Sequence, residues 1–326
     1  MTLPCRLRVG PPALLALAVL CSMPAQAAES WPSRPIRIVV PYAAGGNSDD
    51  ILRPVEPRLA AALGQPVIID NRPGGGTQIG TAIVARSEPD GYTLLYVPVP
   101  FVVNPGIRSK LPYDSLKGFA PITQVMTSPL VLVVNRNVEA NSVSQLIARA
   151  KAKPGALSFG SGMAGAGHLA GELMKGMAGI DMVHIPYKGS APAMTDLIGG
   201  RIQIIFATAS AAIAQMQGGR LKALAVTTAR RSSSLPDLPT LDEAGLKGFD
   251  VSVWGGLAGP AKTPRARVAK LHAQLVRILA LAEIKERFKA AGAEPVGSTP
   301  NEFGKFLRTE IEKWTKVVKR ANIRVE

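Results

Sequence analysis

The sequence predicts an α/β protein of two domains, in which parallel-rich sheets carry flanking helices. Three observations lead to this prediction. At 326 residues, the chain exceeds the ~250 to 300 residues at which a single core stops growing. Short apolar runs of strand length alternate with segments of helical spacing, a pattern typical of parallel sheets covered by helices. With 47% hydrophobic and 19% charged residues, the composition is that of a well-packed globular protein.

The first 27 residues have the features of a secretory signal peptide. A basic start with Arg6 and Arg8 leads into a short apolar run, residues 13–21, and Ala25-Gln26-Ala27 supplies the small residues of a cleavage site. The run has about half of the ~20 apolar residues that a membrane-spanning helix needs. We therefore predict export with cleavage near Ala27, after which the chain keeps no cysteine and folds without disulfides.

The chain is strongly basic, with a formal net charge of +15. The basic residues are spread along the sequence instead of forming a stripe or a recognition motif. Aromatic residues make up only 5% of the chain, too few for a base-stacking platform. The composition therefore argues against a nucleic-acid partner and predicts a surface potential that draws small anions toward a cleft.

The stretch from Val39 to Asp50 has the pattern of a strand that ends in a glycine loop and continues as a helix. The apolar run from Pro35 to Val40 predicts the strand, and Asn47 or Ser48 after the glycine pair can cap the helix. The first N–H groups of a helix are unpaired and lie at the positive end of its dipole. This loop is therefore a candidate anion seat, which a phosphate or a carboxylate would fit equally well.

The helix that follows contains two prolines beyond its first turn, Pro54 and Pro57. Proline removes a helical hydrogen bond and clashes with the preceding turn. We therefore expect a kink or a restart near Pro54, before Gly64 ends the helix. The same strand, loop and helix pattern returns at residues 67–85, where residues 71–77 form a second glycine-rich turn.

The alternation continues along the rest of the chain. The purely apolar run from Leu130 to Val134 predicts a strand buried on both faces. Further strands are predicted at residues 92–97, 157–159, 183–185, 202–206, 221–226 and 251–257, and helices at residues 142–152, 168–177, 191–197, 211–216 and 263–281. Thr299 and Glu302 form a capping box for a terminal helix that carries Trp314 on its apolar face.

A third glycine loop, Gly160 to Gly167, contains a literal G-x-G-x-x-G pattern. A dinucleotide site also needs an acidic residue at the end of the next strand, about 20 residues on. Asp181 instead stands before that strand. We therefore reject a nicotinamide cofactor, and we predict no cofactor of any other kind.

Groups for catalysis are sparse. Ser161 lacks the flanking glycines of a nucleophile elbow. None of the three histidines, His168, His184 and His272, has an obvious base or orienting partner at local spacing. His168, at a helix start, can cap or pack, or it can contact a ligand from its loop. Without cysteines no familiar zinc pattern can be written, so we predict neither an enzyme nor a metal site.

Five predicted strand-to-helix loops are rich in glycine and small hydroxyl residues. They lie at residues 43–49, 73–78, 160–167, 187–190 and 207–210. In parallel sheets such loops gather at the carboxyl ends of the strands, where ligands bind. Two domains that present these loops across a cleft would clamp a small anion between opposed backbone N–H groups.

Nine spaced motifs follow one another along the chain. They are Val40-Pro-Tyr-Ala-Ala-Gly-Gly-Asn-Ser-Asp49, Gly64-Gln-Pro-Val67, Asn71-Arg-Pro-Gly-Gly-Gly76, Pro89-Asp-Gly-Tyr-Thr-Leu94, His168-Leu-Ala-Gly-Glu172, Pro186-Tyr-Lys-Gly189, Leu197-Ile-Gly-Gly200, Leu235-Pro-Asp-Leu-Pro-Thr240 and Glu243-Ala-Gly-Leu246. Through these motifs the chain from Trp31 onward resembles the Bug receptors, which are the periplasmic solute-binding proteins of tripartite tricarboxylate transporters.

The resemblance implies a two-domain periplasmic-binding-protein fold, type II-like, with a ligand cleft between the domains. Residues 28–128 and 253–326 would form a discontinuous domain 1, and residues 129–252 would form domain 2. It also implies a monomer in the periplasm that binds one small carboxylate and delivers it transiently to the membrane subunits of a transporter.

Carried over to matching positions, the resemblance assigns the ligand site residue by residue. Two loops would hold the carboxylate, through Tyr42, Ala44, Gly45, Gly46, Ser48, Asp49, Ser161, Gly162 and Gly165. The rest of the pocket would be shaped by Thr77, Tyr187, Lys188, Ala207 and Thr208. Ala207 stands where many relatives place an aspartate, which favours a mono- or dicarboxylate without an amine.

Two other functions stay open at this point. The same binding fold could serve a membrane sensor instead of a transporter, or the chain could be an exported enzyme that acts on a small carboxylate. Chemical conversion of the bound ligand would distinguish the enzyme from the receptor.

Overall fold

The computed structural model describes Met1, residues 31–187 and residues 190–324. The predicted signal peptide beyond Met1 and its cleavage site near Ala27 lie outside the described residues, as does Lys188. Within the described ranges, no helix combines the length and the hydropathy that crossing a membrane requires.

Ten strands and ten helices form the described part of the chain. The strands are β1 (Ile36–Val40), β2 (Val67–Asn71), β3 (Thr93–Pro98), β4 (Phe119–Asn135), β5 (Ser158–Gly162), β6 (Val183–Tyr187), β7 (Ile204–Thr208), β8 (Leu221–Val226), β9 (Ser252–Pro260) and β10 (Glu294–Pro295). The helices are α1 (Asn47–Leu63), α2 (Gln78–Ala85), α3 (Pro100–Ile107), α4 (Val143–Ala152), α5 (Ala166–Ala178), α6 (Ser190–Ile198), α7 (Ala209–Gln217), α8 (Arg265–Leu279), α9 (Ala282–Ala290) and α10 (Pro300–Arg320).

One long strand, β4, belongs to both halves of the sheet. The strand order is β2-β1-β3-β9-β4-β7-β5-β6, and β10 and β8 also pair with β4. The strand pairs with β9 as far as Pro129, opposite Ser252, and from Leu130 onward it pairs with β7 and β8. We call the strands on the two sides of this change the first and the second half-sheet. The change lies next to the predicted boundary at residues 128 and 129, and the division into two domains stays a prediction.

Parallel and antiparallel pairing are mixed. β1 pairs in parallel with β2 and β3, and β5 pairs in parallel with β6 and β7. In contrast, β4 and β9 run antiparallel to their neighbours. Each half-sheet therefore has one parallel group whose carboxyl ends share an edge, and the predicted ligand loops begin at those edges.

Apolar side chains on both faces of each half-sheet pack against helices. In the first half-sheet, α1, α8 and α9 cover one face, and α2, α3 and α10 cover the other. In the second, α4 and α5 lie on one face and α6 and α7 on the other. Trp314 of α10 is 1% exposed, and its indole N–H donates to the Glu310 carboxylate at 2.8 Å. The prediction that Trp314 is a core residue is confirmed.

Helix α1 is continuous through Pro54 and Pro57, so the predicted kink or restart is wrong. An interior proline costs about 3 kcal/mol, but this helix buries a full apolar face that includes Ile51 and Leu59. Burial of each such side chain contributes roughly 1.5 to 3 kcal/mol, so packing outweighs the prolines. The helix ends at Gly64, which has a left-handed φ of 70°, as predicted.

Three strands extend further than the sequence predicts. β5 continues to Gly162, β6 to Tyr187 and β7 to Thr208. The reason is pairing with distant residues, because Gly162 pairs with Tyr187 and Thr208 pairs with Leu130. The predicted loop at residues 207–210 is absent, since α7 begins directly after Thr208.

Candidate functional site

The first loop connects β1 to α1 through two glycines. Gly45 has a φ of 82°, in the left-handed region that favours glycine. Gly46 is the N-cap of α1 with an extended φ of −97°. The only atom within 4 Å of a Cβ added at Gly46 is the Ala43 carbonyl oxygen, at 3.9 Å. No side chain caps this helix, so the prediction that Asn47 or Ser48 does so is wrong.

This open loop leaves helix donors available. The N–H groups of Asp49 and Asp50 both donate to the Gly46 carbonyl, at 2.8 and 3.2 Å. The N–H groups of Asn47 and Ser48 precede these bonds and have no acceptor within the helix. They lie at the positive end of a 17-residue helix, which favours a bound anion. The Ser48 hydroxyl is also buried without a hydrogen-bond partner.

The Asp49 carboxylate holds the first loop in place. Its Oδ2 accepts from the Gly45 N–H at 2.7 Å and from the Arg53 guanidinium at 3.2 Å, and its Oδ1 accepts from the Asn71 amide at 3.1 Å. Burial acts to raise the pKa of this carboxyl group, but the hydrogen bonds outweigh it and hold the pKa below its usual range. Asp49 therefore stays ionised and occupies the Gly45 N–H itself.

Asn71 and α2 tie the second loop to the first. The Asn71 amide also donates to the Tyr42 carbonyl at 3.2 Å. A Cβ added at Gly80 of α2 would lie 2.9 Å from Pro41, so α2 packs directly against the end of the strand that leads into the first loop. Thr77, the N-cap of α2, is 4% exposed with a left-handed φ of 77°, and its hydroxyl has no partner.

The third loop connects β5 to α5 in the second half-sheet. Gly165 is the N-cap of α5, and no side chain caps this helix either. The Gly165 N–H donates to the Gly162 carbonyl at 3.1 Å, and Ala164 adopts a left-handed φ of 55°. The N–H groups of Ala166 and Gly167 are the first of α5 and have no acceptor within it. The third loop is therefore a second anion seat.

Tyr187 lies beside the third loop, but its hydroxyl is hydrogen-bonded to another residue. It pairs with Gly162 across β5 and β6. Its hydroxyl donates to the Asp196 carboxylate at 2.8 Å, and Asp196 also pairs with Arg201 at 2.8 Å. Burial and the neighbouring carboxylate raise the pKa of the Tyr187 hydroxyl. Tyr187 therefore contributes its ring, not a free hydroxyl, to this edge.

Ala207 and Thr208 end β7 next to the third loop. A Cβ added at Gly167 would lie 3.2 Å from the Phe206 carbonyl oxygen, which brings the start of α5 against the end of β7. Ala207 is buried, and Thr208 is the N-cap of α7, with its hydroxyl 3.4 Å from that of Ser210. Neither position carries a charge.

The predicted site residues form two groups, one on each half-sheet. The first loop group contains Tyr42, Ala44, Gly45, Gly46, Ser48, Asp49 and Thr77, and the second contains Ser161, Gly162, Gly165, Tyr187, Ala207 and Thr208. Among the residues that the structure describes, no hydrogen bond joins the two groups. That both groups bind one ligand stays a prediction.

Comparison with known protein families assigns the chain to one of them. Residues 51–323 match the model described as the tripartite tricarboxylate transporter family receptor. The chain belongs to this receptor family. The resemblance found in the sequence motifs is thereby confirmed.

Relatives match this receptor along most of its length. BugT of Bordetella pertussis is 35% identical over 302 residues, which cover 92% of this chain and 93% of BugT. The structure of Rpa4515 of R. palustris with adipate matches with a TM-score of 0.77 and 34% identity, over 90% of this chain and 99% of that one. MatC from Rhodopseudomonas palustris with bound malate matches with a TM-score of 0.73 and 29% identity, over 88% and 99% of the two chains. The predicted periplasmic-binding-protein fold is confirmed.

The receptor also contains a histidine pair that the sequence does not reveal. His184 lies on β6, where its Nε2 is 2.8 Å from the Ser161 hydroxyl. His168 lies in the first turn of α5, where its Nδ1 accepts from the Ala164 N–H at 3.0 Å. The two rings stack with centroids 3.7 Å apart and an interplanar angle of 11°. His168 therefore packs at the helix start, which is one of the roles predicted for it, but it does not cap α5.

The surroundings of both histidines lower their pKa values and so favour the neutral rings. Burial lowers the pKa of His168 to about 4, with smaller contributions from the His184 ring and from Lys175. Burial also lowers the pKa of His184, and Lys175 adds to that effect. The sequence places each histidine only within its own helix or strand. The contact between His184 and Ser161 depends on strand register, because these two residues are 23 positions apart in the chain.

Across the described ranges, no three His, Cys, Asp or Glu side chains are arranged to hold a metal ion. A cavity of about 770 Å³ lies between α5 and α10. It is lined by Glu172, Lys175, Lys316 and Arg320 among others, near the opposite end of α5 from Gly165, and it contains none of the predicted site residues.

Proposed function

We propose that this receptor captures a small carboxylate between its two loop groups and delivers it to the membrane subunits of a tripartite tricarboxylate-type transporter. One observation carries the proposal. Helices α1 and α5 both begin in glycine loops without a side-chain cap, at the carboxyl edges of the two parallel strand groups. Each helix start therefore has unpaired N–H donors and a positive dipole end for an anion.

The ligand class follows from the charges at the site. Asp49 is the only acidic residue among the predicted site residues, and its oxygens are occupied by Gly45, Asn71 and Arg53. Neither loop group therefore offers a free carboxylate that could pair with the ammonium group of a ligand. We infer a mono- or dicarboxylate without an amine, in line with the adipate and the malate bound by two relatives.

The rest of the proposal follows from the family. Its members are receptors, so we infer binding without turnover. We also propose that the chain works as a monomer in the periplasm after cleavage near Ala27, and that residues 28–128 with 253–326 and residues 129–252 form two domains that close on the ligand. Lys188, outside the described residues, is proposed to line the same pocket.

A binding experiment on residues 28–326 tests this function. We expect adipate or malate to raise the melting temperature and to bind saturably by calorimetry, whereas the dimethyl esters and amine-bearing glutamate bind far more weakly. At 100 times Kd, a ligand stabilises the folded state by about 2.7 kcal/mol. Equal binding of the esters, or a reaction product in the mass spectrum, would contradict the proposal.

Gly46→Val is the matching variant. Its backbone conformation is open to any residue and its Cβ meets nothing closer than 3.9 Å, so we expect an unchanged melting temperature without ligand. The side chain would cover the helix donors and abolish carboxylate binding. Gly218→Val is the control, because Gly218 has a φ of −82° and lies at the far end of α7. Unchanged affinity in Gly46→Val would remove the first loop from the site.

A further inference from the structure

The Ser161 hydroxyl and the His184 ring lie on the same face of two paired strands. Phe159 pairs with His184 and Ser161 pairs with Pro186, and side chains two residues apart on a strand share a face. The Ser161 Oγ is 2.8 Å from the His184 Nε2. A Cβ added at Gly167 would lie 3.4 Å from the Ser161 Cβ, which places this serine beneath the first turn of α5, beside its unpaired N–H groups.

The direction of this hydrogen bond determines what the serine can do. If the serine donates to an unprotonated Nε2, its hydroxyl offers only lone pairs to other groups. If a protonated Nε2 donates to the serine, the hydroxyl proton is free to donate elsewhere. An ionised carboxylate only accepts hydrogen bonds, so Ser161 can bind it only in the second arrangement.

The neighbouring ring has a fixed tautomer. Because the Ala164 N–H donates to the Nδ1 of His168, this nitrogen must be unprotonated and the proton of the neutral ring is on Nε2. His168 is 4% exposed and stacks on His184 at 3.7 Å. A positive charge on both rings at this distance would be strongly unfavourable, so at most one ring of the pair can be protonated.

We propose that His184 is a positioning residue for ligand binding. Its Nε2–H donates to the Ser161 Oγ, and this directs the Ser161 hydroxyl proton toward a carboxylate oxygen bound at the start of α5. The inference rests on the proposed function and deepens it, since it adds a side-chain donor that selects an acceptor-only group. His168 stabilises the arrangement by stacking on the neutral ring.

The tautomer can be measured in the ligand-free protein. The chain has three histidines, so selective ¹⁵N labelling of residues 28–326 gives a simple spectrum that His184→Gln assigns. We expect the His184 Nε2 to carry the proton and its Nδ1 to be unprotonated at pH 7. An unprotonated Nε2 would overturn the proposal, whatever ligand the protein binds.

Affinity for adipate provides the second test. We expect Ser161→Ala to weaken binding about 10- to 100-fold, as for a hydrogen bond to a charged group. His184→Met should weaken adipate binding nearly as much. The double variant should bind adipate no more weakly than whichever single variant has the lower affinity. His184→Gln should restore most of the affinity, because its amide N–H can occupy the place of Nε2–H. The control is His272→Gln in α8, which should bind as wild type does.

The outcomes separate the two proposals. Additive losses in Ser161→Ala and His184→Met, or a His184→Gln variant as weak as His184→Met, would overturn the role of His184 while leaving a carboxylate receptor. A wild-type chain that binds no carboxylate would overturn the proposed function and the anion-directed role of Ser161 together. Urea unfolding of each variant identifies any loss that comes from unfolding.

Discussion

Asp49 is buried, with 2% of its surface exposed, and its carboxylate oxygens are hydrogen-bonded within the chain. Its three hydrogen bonds join the first loop, α1 and the end of β2, so the residue organises the loop from which the helix donors project. An acidic residue next to an anion site is tolerated here because hydrogen bonds from Gly45 and Asn71 and the ion pair with Arg53 stabilise its negative charge.

We expect Asp49→Ala to lower the free energy of unfolding by about 2 to 3 kcal/mol, because it leaves the Gly45 N–H and the Asn71 amide without their charged acceptor. Carboxylate affinity should fall as well, since the loop loses its support. Urea unfolding and calorimetry check both effects. Asp50→Ala is the control, because Asp50 is exposed on the same turn and should cost ~0.5 kcal/mol or less. An Asp49→Ala variant as stable as this control would contradict the assignment.

His168 makes stability depend on pH. Its pKa is about 4 in the folded protein, against 6.5 for the free side chain, so the unfolded state binds more protons between these values. Stability should therefore rise with pH through the window from about 4 to 6.5, and His168 accounts for at most about 3 kcal/mol of this change. The groups that face its ring are His184 and Lys175, and Lys175 also pairs with Glu172.

His168→Asn tests this origin. The Asn Oδ1 can replace Nδ1 as the acceptor of the Ala164 N–H, but it does not titrate. We expect urea midpoints at pH 4.5 and pH 7 to differ less in the variant than in the wild type. An equal difference in both proteins would assign the pH dependence to other groups. The contribution of Asp49 is separate, because its lowered pKa affects stability only at still lower pH.

Sequence patterns predicted the chemistry of single residues only where the partners are close in the chain. The glycine pair at Gly45 and Gly46 and the cap at Thr299 are local features, and the structure contains them. The link from Asp49 to Asn71 and the contact from Ser161 to His184 span 22 and 23 residues. They depend on strand register, which no local pattern contains.

At the scale of elements, α1 shows packing that overrides propensity. Pro57 is exposed in the middle of this helix, beyond its first turn. We expect Pro57→Ala to raise the free energy of unfolding by about 1 to 2 kcal/mol, because the backbone regains a hydrogen bond and loses a clash, offset in part by a more flexible unfolded chain.

Pro300 is the matched control. It occupies the first position of α10, where proline fits because that N–H has no helical acceptor. Pro300→Ala should therefore be neutral or slightly destabilising. Chemical denaturation of both variants checks the pair, and a Pro57→Ala protein less stable than wild type would show that the proline is adapted to its position.

Element types and most boundaries could be predicted because helix ends carry local signals. Ser142 accepts from the Gln145 N–H, and Thr299 with Glu302 completes its capping box, as the sequence indicates. The first part of β4 and the ends of β5 to β7 could not be predicted, because their backbone groups are paired by strands far away in the chain.

At the scale of the whole molecule, β4 is the strand that belongs to both half-sheets, and the chain re-enters the first half-sheet at β9. If the proposed domains close on a ligand, the distance between the rims of the two loop groups should shorten. Ile79 beside the second loop and Met163 in the third are both 53% exposed, and the only cysteines, Cys5 and Cys21, lie in the predicted signal peptide. Both positions can therefore carry spin labels on introduced cysteines.

We expect saturating adipate to shorten the distance between labels at residues 79 and 163 in electron spin resonance. Labels at residues 79 and 116 provide the control, because Leu116 is 45% exposed and both positions belong to the proposed domain 1. Their distance should not change. An unchanged 79–163 distance in a ligand-saturated protein would mean that the loops bind without closure.

The point at which β4 changes its pairing from β9 to β7 and β8 has a further consequence. Pro129 and Ser252 are register neighbours, so residues 130–251 leave and rejoin the first half-sheet at adjacent points of one strand pair. A segment joined in this way can be transplanted between homologues with only two neighbouring junctions to match. Recombination of this kind would combine the first loop of one receptor with the third loop of another, and new ligand specificities could arise by exchange of one cassette.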